Sequence, residues 1–465
     1  MRRLIIGLTL LLAATLVGLI STPASAGNRP DYLMGKPLHS QNMDPQQSGA
    51  FATTVAYMTQ FYPLWFTYYQ TQIIPPNRLV GPDRVSPIYH AVVAINVDTL
   101  YASAFLDLSQ GPVILTIPET TATYSILNLD PYGNIFDTDI KAGTAGTYAL
   151  IGPGGSTVSL PPDAIPISMP YNYSVLIFRA DRYNANNEDE TEQANQFRQS
   201  LTLANEATAI KPEIYFSPPF KSAADYLSTQ EPIEFLRQLQ KAVASDHTPP
   251  LSVEQQALSD NFNSLFGNGI FPGDGAKEAA FAAGARKAHE LLVNNYLTHT
   301  DRSNWISFTN IGEWGDNALD RASITEYIQY GNNYSTAAYY HSFRDGRGKP
   351  LDGSNRGGYV LTFPANKLPE ASRFWSLTAY TPDAIELVPN IAFKYVVARY
   401  TPGLQYNSDG SLSIYMSHTR PLGVPAANWL PVPNGPFNVM LRAYGPEGSV
   451  ADATYVPPRI HRRFR

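Results

Sequence analysis

The sequence contains two blocks of short, strand-like runs on either side of a long segment with helical periodicity, and few folds accommodate this order. The runs are rich in β-branched and aromatic residues and end at Gly and Pro turns, which is typical of antiparallel strands. In the first block they cover residues 89–97, 99–106, 113–117, 124–129, 147–151 and 174–178. In the second block they cover residues 358–363, 373–380, 411–416 and 437–444.

The segment between the blocks carries helix signals. It is rich in Gln, Glu, Ala and Lys, and Ser252 with Gln255 three residues later has the form of a capping box. Pro232 fits a first helical turn, and residues 276–297 read as one long helix. Another helix is predicted over 45–72, where aromatic residues recur at steps of three and four. Such a broad apolar stripe favours a core helix over an aromatic platform for a ligand.

These patterns predict an α+β, multidomain protein with two antiparallel β-sandwich or jelly-roll-like modules joined by a helical segment. The length of 465 residues also favours more than one domain. The predicted divisions are a signal peptide over 1–26, an N-terminal helix plus β-sandwich module over 27–183, a helical connector over 184–331 and a C-terminal β-sandwich module over 332–465.

The N-terminus has the pattern of an export signal. Arg2 and Arg3 precede an apolar run that ends before Ala24-Ser25-Ala26, a small-residue cleavage site. We therefore expect an exported protein, periplasmic or extracellular, with no stable membrane insertion after cleavage. The alternative is that the apolar run is kept as an anchor.

Composition and motifs exclude several classes of chemistry. The chain has no cysteine, which excludes disulfides, thiolate metal clusters and cysteine nucleophiles. Its formal net charge of -6 argues against a nucleic-acid partner. His289-Glu290 lacks the second histidine of a zinc-protease helix, and no G-x-S-x-G motif is present. The sequence predicts no metal and no cofactor, and it is compatible with an oligomer.

A candidate catalytic group lies in the string Asn96-Val97-Asp98-Thr99-Leu100-Tyr101, at the junction of two predicted strands. In a strand, Asn96 and Asp98 would lie on one face, where a carboxylate and an amide can position and deprotonate a hydroxyl or water, with Tyr101 as a donor. The alternative is that Asn96 and Asp98 bond the backbone of their own turn, as such residues often do.

Candidate substrate-binding residues lie further along the chain. Arg321 could hold a carboxylate in a forked pair, or equally an internal Asp. Trp375, Tyr380 and Trp429 are the aromatic candidates, although Trp375 also fits a core strand and the segment around Trp429 fits a rigid corner.

Several strings resemble a bacterial family of paired domains of unknown function, numbered 1254 and 1214. The N-x-D-T-L-Y string, Leu106-Asp107-Leu108 with Gly111-Pro112-Val113, and Leu150-Ile151-Gly152-Pro153-Gly154 resemble the N-terminal domain. Leu351-Asp352-Gly353-Ser354-Asn355, Phe374-Trp375-Ser376-Leu377-Thr378 with Tyr380, Asn428-Trp429-Leu430-Pro431, and Leu441-Arg442-Ala443-Tyr444-Gly445-Pro446 resemble the C-terminal domain. The resemblance implies two β-sandwich modules joined by helices, typically exported, and implies no reaction.

Two functions follow as hypotheses. The first is a hydrolase-type enzyme acting on a polar small molecule or saccharide in a cleft between the modules. In it, Asp98 is the general base or positions the water, Asn96 and Tyr101 are orienting donors, and Arg321 holds a polar or anionic group of the substrate. The second is a non-catalytic envelope or extracellular binding or structural protein, whose surface aromatics stack on a ligand.

Overall fold

The computed structural model describes residues 45–90, 92–156, 160–211 and 219–463. Within these ranges the chain forms eight helices and eighteen strands, and the strands form four sheets, none of them closed. This confirms the predicted α+β, multidomain class. The predicted signal peptide over 1–26 lies outside the described residues.

The first helix, α1 (Pro45–Thr71), carries the aromatic stripe that the sequence predicts. Tyr57, Phe61, Tyr62 and Trp65 on this helix are completely buried. The stripe therefore forms core and does not present a ligand platform.

The N-terminal module consists of two facing five-stranded sheets. Its strands are β1 (Val80–Pro82), β2 (Thr99–Asp107), β3 (Val113–Ile117), β4 (Tyr124–Leu129), β5 (Gly146–Ile151), β6 (Ile165–Ser168), β7 (Tyr173–Asp181), β8 (Thr202–Leu203), β9 (Glu206–Ala207) and β10 (Ala209–Lys211). The strand orders are β10-β1-β2-β7-β4 and β6-β5-β3-β8-β9, mostly antiparallel. Helix α2 (Thr191–Ser200) packs against β2 and β7. These sheets thus include residues up to Lys211, beyond the boundary predicted at residue 183.

Five helices follow. They are α3 (Phe220–Gln230), α4 (Pro232–Val243), α5 (Val253–Phe266), α6 (Gly275–Thr298) and α7 (Ala318–Tyr327). Helix α1 packs against α4, α5, α6 and α7. The local signals act as predicted: Ser252 and Gln255 form a capping box at the start of α5, and Pro232 begins α4.

The C-terminal module repeats the two-sheet design with four strands in each sheet. Its strands are β11 (Ala337–Ser342), β12 (Tyr359–Phe363), β13 (Ala371–Tyr380), β14 (Val396–Ala398), β15 (Leu412–Ser417), β16 (Trp429–Pro431), β17 (Asn438–Pro446) and β18 (Ile460–Arg462), with helix α8 (Gly448–Ala451) after β17. The strand orders are β11-β17-β13-β14 and β16-β15-β12-β18.

One sheet of each module is buried on both faces. Successive side chains of a strand point to opposite faces, so on β2 Leu100 and Ala102 pack between the two sheets while Tyr101 packs against the helices. On β13, Trp375 likewise packs between the sheets and Phe374 packs on the helical side. The helices therefore form a central core that both modules share.

No helix in the described ranges combines the length and the apolar character that crossing a bilayer requires.

Candidate active site

Four ionisable side chains from three helices meet where the helices face the C-terminal module. Lys221 and Asp225 are four residues apart on α3, a spacing that places them on one helix face. His289 comes from α6 and Glu326 from α7. We call these four residues the charged tetrad.

The charged tetrad is joined by hydrogen bonds and ion pairs. Lys221 Nζ lies 2.9 Å from Asp225 Oδ2 and also contacts Glu326 Oε1. His289 Nε2 lies 2.9 Å from Asp225 Oδ1 and 3.9 Å from Glu326 Oε1. Tyr62 of α1 donates its hydroxyl to Glu326 Oε2 at 2.6 Å. Each carboxylate is therefore bound by at least two donors.

The charged tetrad borders a cavity of about 200 Å³ between the helices and the C-terminal module. Lys221 and Asp225 line this cavity, whereas His289 and Glu326 stand behind them with no exposed side-chain surface. The Asp225 side chain is 27% exposed and that of Lys221 is 5% exposed. Asp225 is therefore the carboxylate of the tetrad that a small molecule in the cavity can reach.

The pKa values in the charged tetrad follow from competition between burial and charge. Burial alone raises the pKa of Asp225, but the Lys221 charge and the His289 hydrogen bond outweigh it and hold this pKa well below its usual range. Burial lowers the pKa of His289, but its bonds to Asp225 and Glu326 raise it to about 9. Burial and the Asp225 charge raise the pKa of Glu326. At neutral pH Asp225 is therefore ionised and His289 is protonated.

The tetrad also contains a set of metal-ligand atoms. Asp225, His289 and Glu326 present these atoms within 4.8 Å of one another, and carboxylate and imidazole groups bind divalent cations. The Lys221 ammonium, however, contacts both carboxylates. It supplies the positive charge that a metal ion would bring and would repel one, so the four residues fit an ion-pair network better than a metal centre.

The predicted catalytic string lies elsewhere, in the contact between the two modules. Asn96 Oδ1 accepts from the backbone N–H groups of Asp98 and Thr99. For Asn96 this is the alternative to a catalytic role, in which the side chain bonds the backbone of its own turn. Asp98 is completely buried, and its oxygens accept from the hydroxyls of Ser376, at 2.8 Å, and Tyr400. Burial raises the Asp98 pKa, and the Arg442 charge opposes this rise. The catalytic role of Asp98 stays a prediction, and its position favours a structural role.

Asn96 and Tyr101 border a second, smaller cavity of about 40 Å³, together with Arg179, Arg442 and Tyr444. We call it the interface cavity, because its walls come from both modules. Asp98 does not line it. Polar groups distant along the chain thus converge between the modules, in a space of a few water molecules.

The structure separates the predicted substrate-binding residues. Tyr380 lies beside the predicted catalytic string and donates to the Ile95 carbonyl at 2.6 Å. Arg321 is buried against the Tyr132 ring and donates to the Gln60 carbonyl at 2.8 Å. Trp375 is 2% exposed in the core of the C-terminal module, and half-buried Trp429 bonds the Ser417 carbonyl. These four side chains do not surround one ligand site, and their binding role stays a prediction.

A third cavity, of about 460 Å³, lies along β4 and the following hairpin. Its charged side chains Asp137, Lys141 and Glu313 are exposed, so water screens them. The charged tetrad is the stronger candidate because three of its side chains are at most 5% exposed, so its charges interact strongly and shift one another's pKa values.

Two known protein families each match one of the two modules. Residues 76–205 match the family described as a protein of unknown function, DUF1254, and residues 336–448 match the one described as a protein of unknown function, DUF1214. The chain belongs to the family that pairs these two domains. This confirms the resemblance found in the sequence. The charged tetrad lies between the DUF1254 and DUF1214 ranges, in the helices that join them.

Solved structures that are similar to this chain include two bacterial proteins. The VPA0106 protein of Vibrio parahaemolyticus is 20% identical, with a TM-score of 0.54 over 88% of this chain and 99% of that chain. A putative uncharacterized protein of Burkholderia cenocepacia is 15% identical, with a TM-score of 0.41 over 97% of this chain and 94% of that one. The first supports the fold alone. No functionally curated protein matches the chain.

Sequence reasoning did not find the charged tetrad. Its members are separated by up to about a hundred residues, and His289-Glu290 lacks the second histidine that would mark a zinc-protease helix. One signal was available: Lys221 and Asp225 stand four apart in a segment with helix signals, next to aromatic Phe220 and Tyr226.

Proposed function

We propose that the protein is a hydrolase-type enzyme that acts on a small molecule in the cavity bordered by Lys221 and Asp225. One observation carries the proposal: an ionised carboxylate and an ammonium, 2.9 Å apart and backed by two buried ionisable groups, reach the wall of this cavity. Charges kept in a poorly solvated site, with strongly shifted pKa values, are typical of catalytic centres.

In this proposal Asp225 orients the attacking water and takes its proton as the water oxygen bonds the reacting centre of the substrate. The proton then passes to the leaving group as the bond between that group and the centre breaks. The Lys221 ammonium stabilises the negative charge that develops on the substrate oxygen, as fixed charges do where water is excluded. His289 and Glu326 do not reach the cavity and act as positioning residues. The imidazolium keeps Asp225 ionised, and Glu326 holds the Lys221 ammonium in place.

The cavity walls restrict the substrate. Apolar residues such as Val293, Leu297 and Phe343 form most of the lining, and Asn304 and Arg344 add polar groups. This mixture favours a compact molecule with an apolar body and one hydrolysable polar end. A saccharide, which is polar on all sides, fits these walls less well.

The test is hydrolysis of a panel of p-nitrophenyl esters, phosphates and glycosides by the purified protein and its Asp225→Asn variant. Loss of the orienting carboxylate should lower the rate on any accepted substrate by at least about 100-fold, the usual contribution of such a group. The matched control is Asp260→Asn, an exposed carboxylate on α5. Hydrolysis that persists in Asp225→Asn would contradict the proposal, as would an equal loss in Asp260→Asn.

The binding or structural alternative finds less support. Within the described ranges, four of the five tryptophans are buried and Trp429 is partly exposed, and the fully exposed aromatic side chains are Phe393 and Tyr406. Few large aromatic faces are therefore available there for stacking. A ligand that stabilises the protein but is never hydrolysed would favour this alternative. Export of the protein rests on the pattern of residues 1–26 and stays a prediction.

A further inference from the structure

The interface cavity brings together two arginines that the proposed enzyme site does not use. Arg179 comes from β7 of the N-terminal module and Arg442 from β17 of the C-terminal module, and both line the cavity. Arg179 is 5% exposed and Arg442 is 2% exposed. Two guanidinium groups are therefore largely shielded from solvent beside one small cavity.

Their hydrogen bonds are unequally satisfied. Arg179 donates to Asn332 Oδ1 at 2.6 Å and to the Tyr330 carbonyl at 2.7 Å. Arg442 donates through Nη2 to the Ala94 carbonyl at 2.5 Å, while its buried Nη1 has no hydrogen-bond partner in the described protein. A buried charged donor without an acceptor is costly, so a partner for Nη1 is expected.

The charges are unbalanced as well. In the described part of the chain, neither Arg179 nor Arg442 has a carboxylate within ion-pair distance. Asp98 is the acidic group that acts electrostatically on Arg442, and both of its oxygens already accept from hydroxyls. The guanidinium groups also lie over tyrosine rings, Arg179 over Tyr101 and Arg442 over Tyr339 and Tyr380. With one carboxylate for two guanidinium groups, the cavity still lacks one anionic partner.

The size of the cavity limits what can compensate this charge. The interface cavity measures about 40 Å³. On the same scale, one water molecule needs about 10–15 Å³. The space therefore accepts a halide ion or a carboxylate of one carbon. The hydroxyl groups of Tyr101, Tyr339 and Tyr444 come from its lining residues, so polar donors are available besides the arginines.

We propose that the interface cavity binds a small monovalent anion, such as chloride or formate, which accepts from Arg442 Nη1 and lies between Arg442 and Arg179. The anion joins a cation of one module to a cation of the other, and so stabilises their docking. This site is independent of the charged tetrad and of any reaction there.

The experiment measures thermal unfolding of the purified full chain at constant ionic strength, while sodium chloride or sodium formate replaces sodium gluconate. Gluconate is a monovalent anion too large for the cavity. A ligand that binds only the folded state raises the unfolding temperature with its concentration. We expect a rise of several degrees in chloride and in formate relative to gluconate.

The variant Arg442→Gln should lose most of this anion-dependent shift, whereas the control Arg356→Gln, an exposed arginine of the same module, should keep it. Should Arg442→Gln fail to fold, bromide-exchanged crystals of the unaltered protein supply the second readout, an anomalous peak beside Arg442. Equal unfolding temperatures in all three anions, or bromide crystals without that peak, would overturn the proposal.

Discussion

At the scale of single residues, two buried histidines are held in opposite protonation states by their neighbours. His289 faces the carboxylates of Asp225 and Glu326, which raise its pKa to about 9 although burial lowers it. His341 lies among neutral partners, Tyr296 and Asn438, and its burial lowers its pKa to about 3. The same side chain is thus a fixed cation in one place and a neutral hydrogen-bonding group in the other.

These pKa values predict a pH dependence of stability with a defined sign. The folded pKa of His289 lies above the ordinary 6.5, so its stabilising effect is fully present below pH 6.5 and is lost as the pH rises through 9. Such a shift corresponds to a loss on the order of 3 kcal/mol. Urea unfolding at pH 6.5 and 9.5 should show this decrease in the native protein and a much smaller one in His289→Gln. An unchanged decrease in the variant would assign it to other groups.

At the scale of secondary-structure elements, the contact between α1 and α6 depends on a glycine. A Cβ atom added at Gly284 would lie 2.7 Å from Thr54 Cβ and 2.8 Å from the Phe51 carbonyl oxygen. Both distances are shorter than real Cβ contacts allow, and the carbonyl belongs to the helix backbone. Close packing of these two helices positions Tyr62 of α1 and His289 of α6 around Glu326.

The matched pair Gly284→Ala and Gly275→Ala tests this packing. Ala at position 284 must push the helices apart, and overpacking of this kind typically costs about 1–3 kcal/mol of unfolding free energy. Gly275 begins the same helix, is exposed, and has no atom within 4 Å of its added Cβ, so its replacement should be neutral or slightly stabilising. Denaturant midpoints compare the two variants. Equal midpoints would show that the helices adjust freely.

At the scale of the whole molecule, the C-terminal module holds the segment that precedes β2. Arg442 donates to the Ala94 carbonyl, and Tyr380 donates to the Ile95 carbonyl. The side-chain amide of Asn96 donates to the Tyr444 hydroxyl. Ser376 and Tyr400 donate to Asp98. A forked ion pair between Arg373 and Asp181 adds to this contact. The modules are therefore docked through buried polar bonds as well as through the shared helical core.

This docking predicts that Asp98 variants lose stability. Asp98→Ala leaves two buried hydroxyl groups without an acceptor, at a cost of about 1–3 kcal/mol for each unsatisfied group. Asp98→Asn retains an acceptor oxygen and should lose less. Thermal unfolding and limited proteolysis between the modules measure both effects. If Asp98→Ala unfolded at the native temperature but lost hydrolytic activity, the catalytic role predicted from the sequence would regain support.

Local patterns in the sequence determined most of the elements. Strand β3 lies where a run of β-branched residues predicted it, α5 begins at its capping box, and α6 covers the predicted run 276–297. These elements form from interactions within a few residues, so their signals are readable without the fold. The export signal at the N-terminus and the hydrolase activity are also inferred from the sequence, and both stay predictions.

Only the tertiary structure decided what the polar residues do. Residues 89–97, predicted as a strand, form no strand in their described part, because polar side chains of the other module bind the carbonyls of Ala94 and Ile95. The same packing buries Asp98 and places Asp225 beside a cavity. Burial and long-range partners set the pKa and the accessibility of a carboxylate, and neither is encoded in the spacing of its neighbours along the chain.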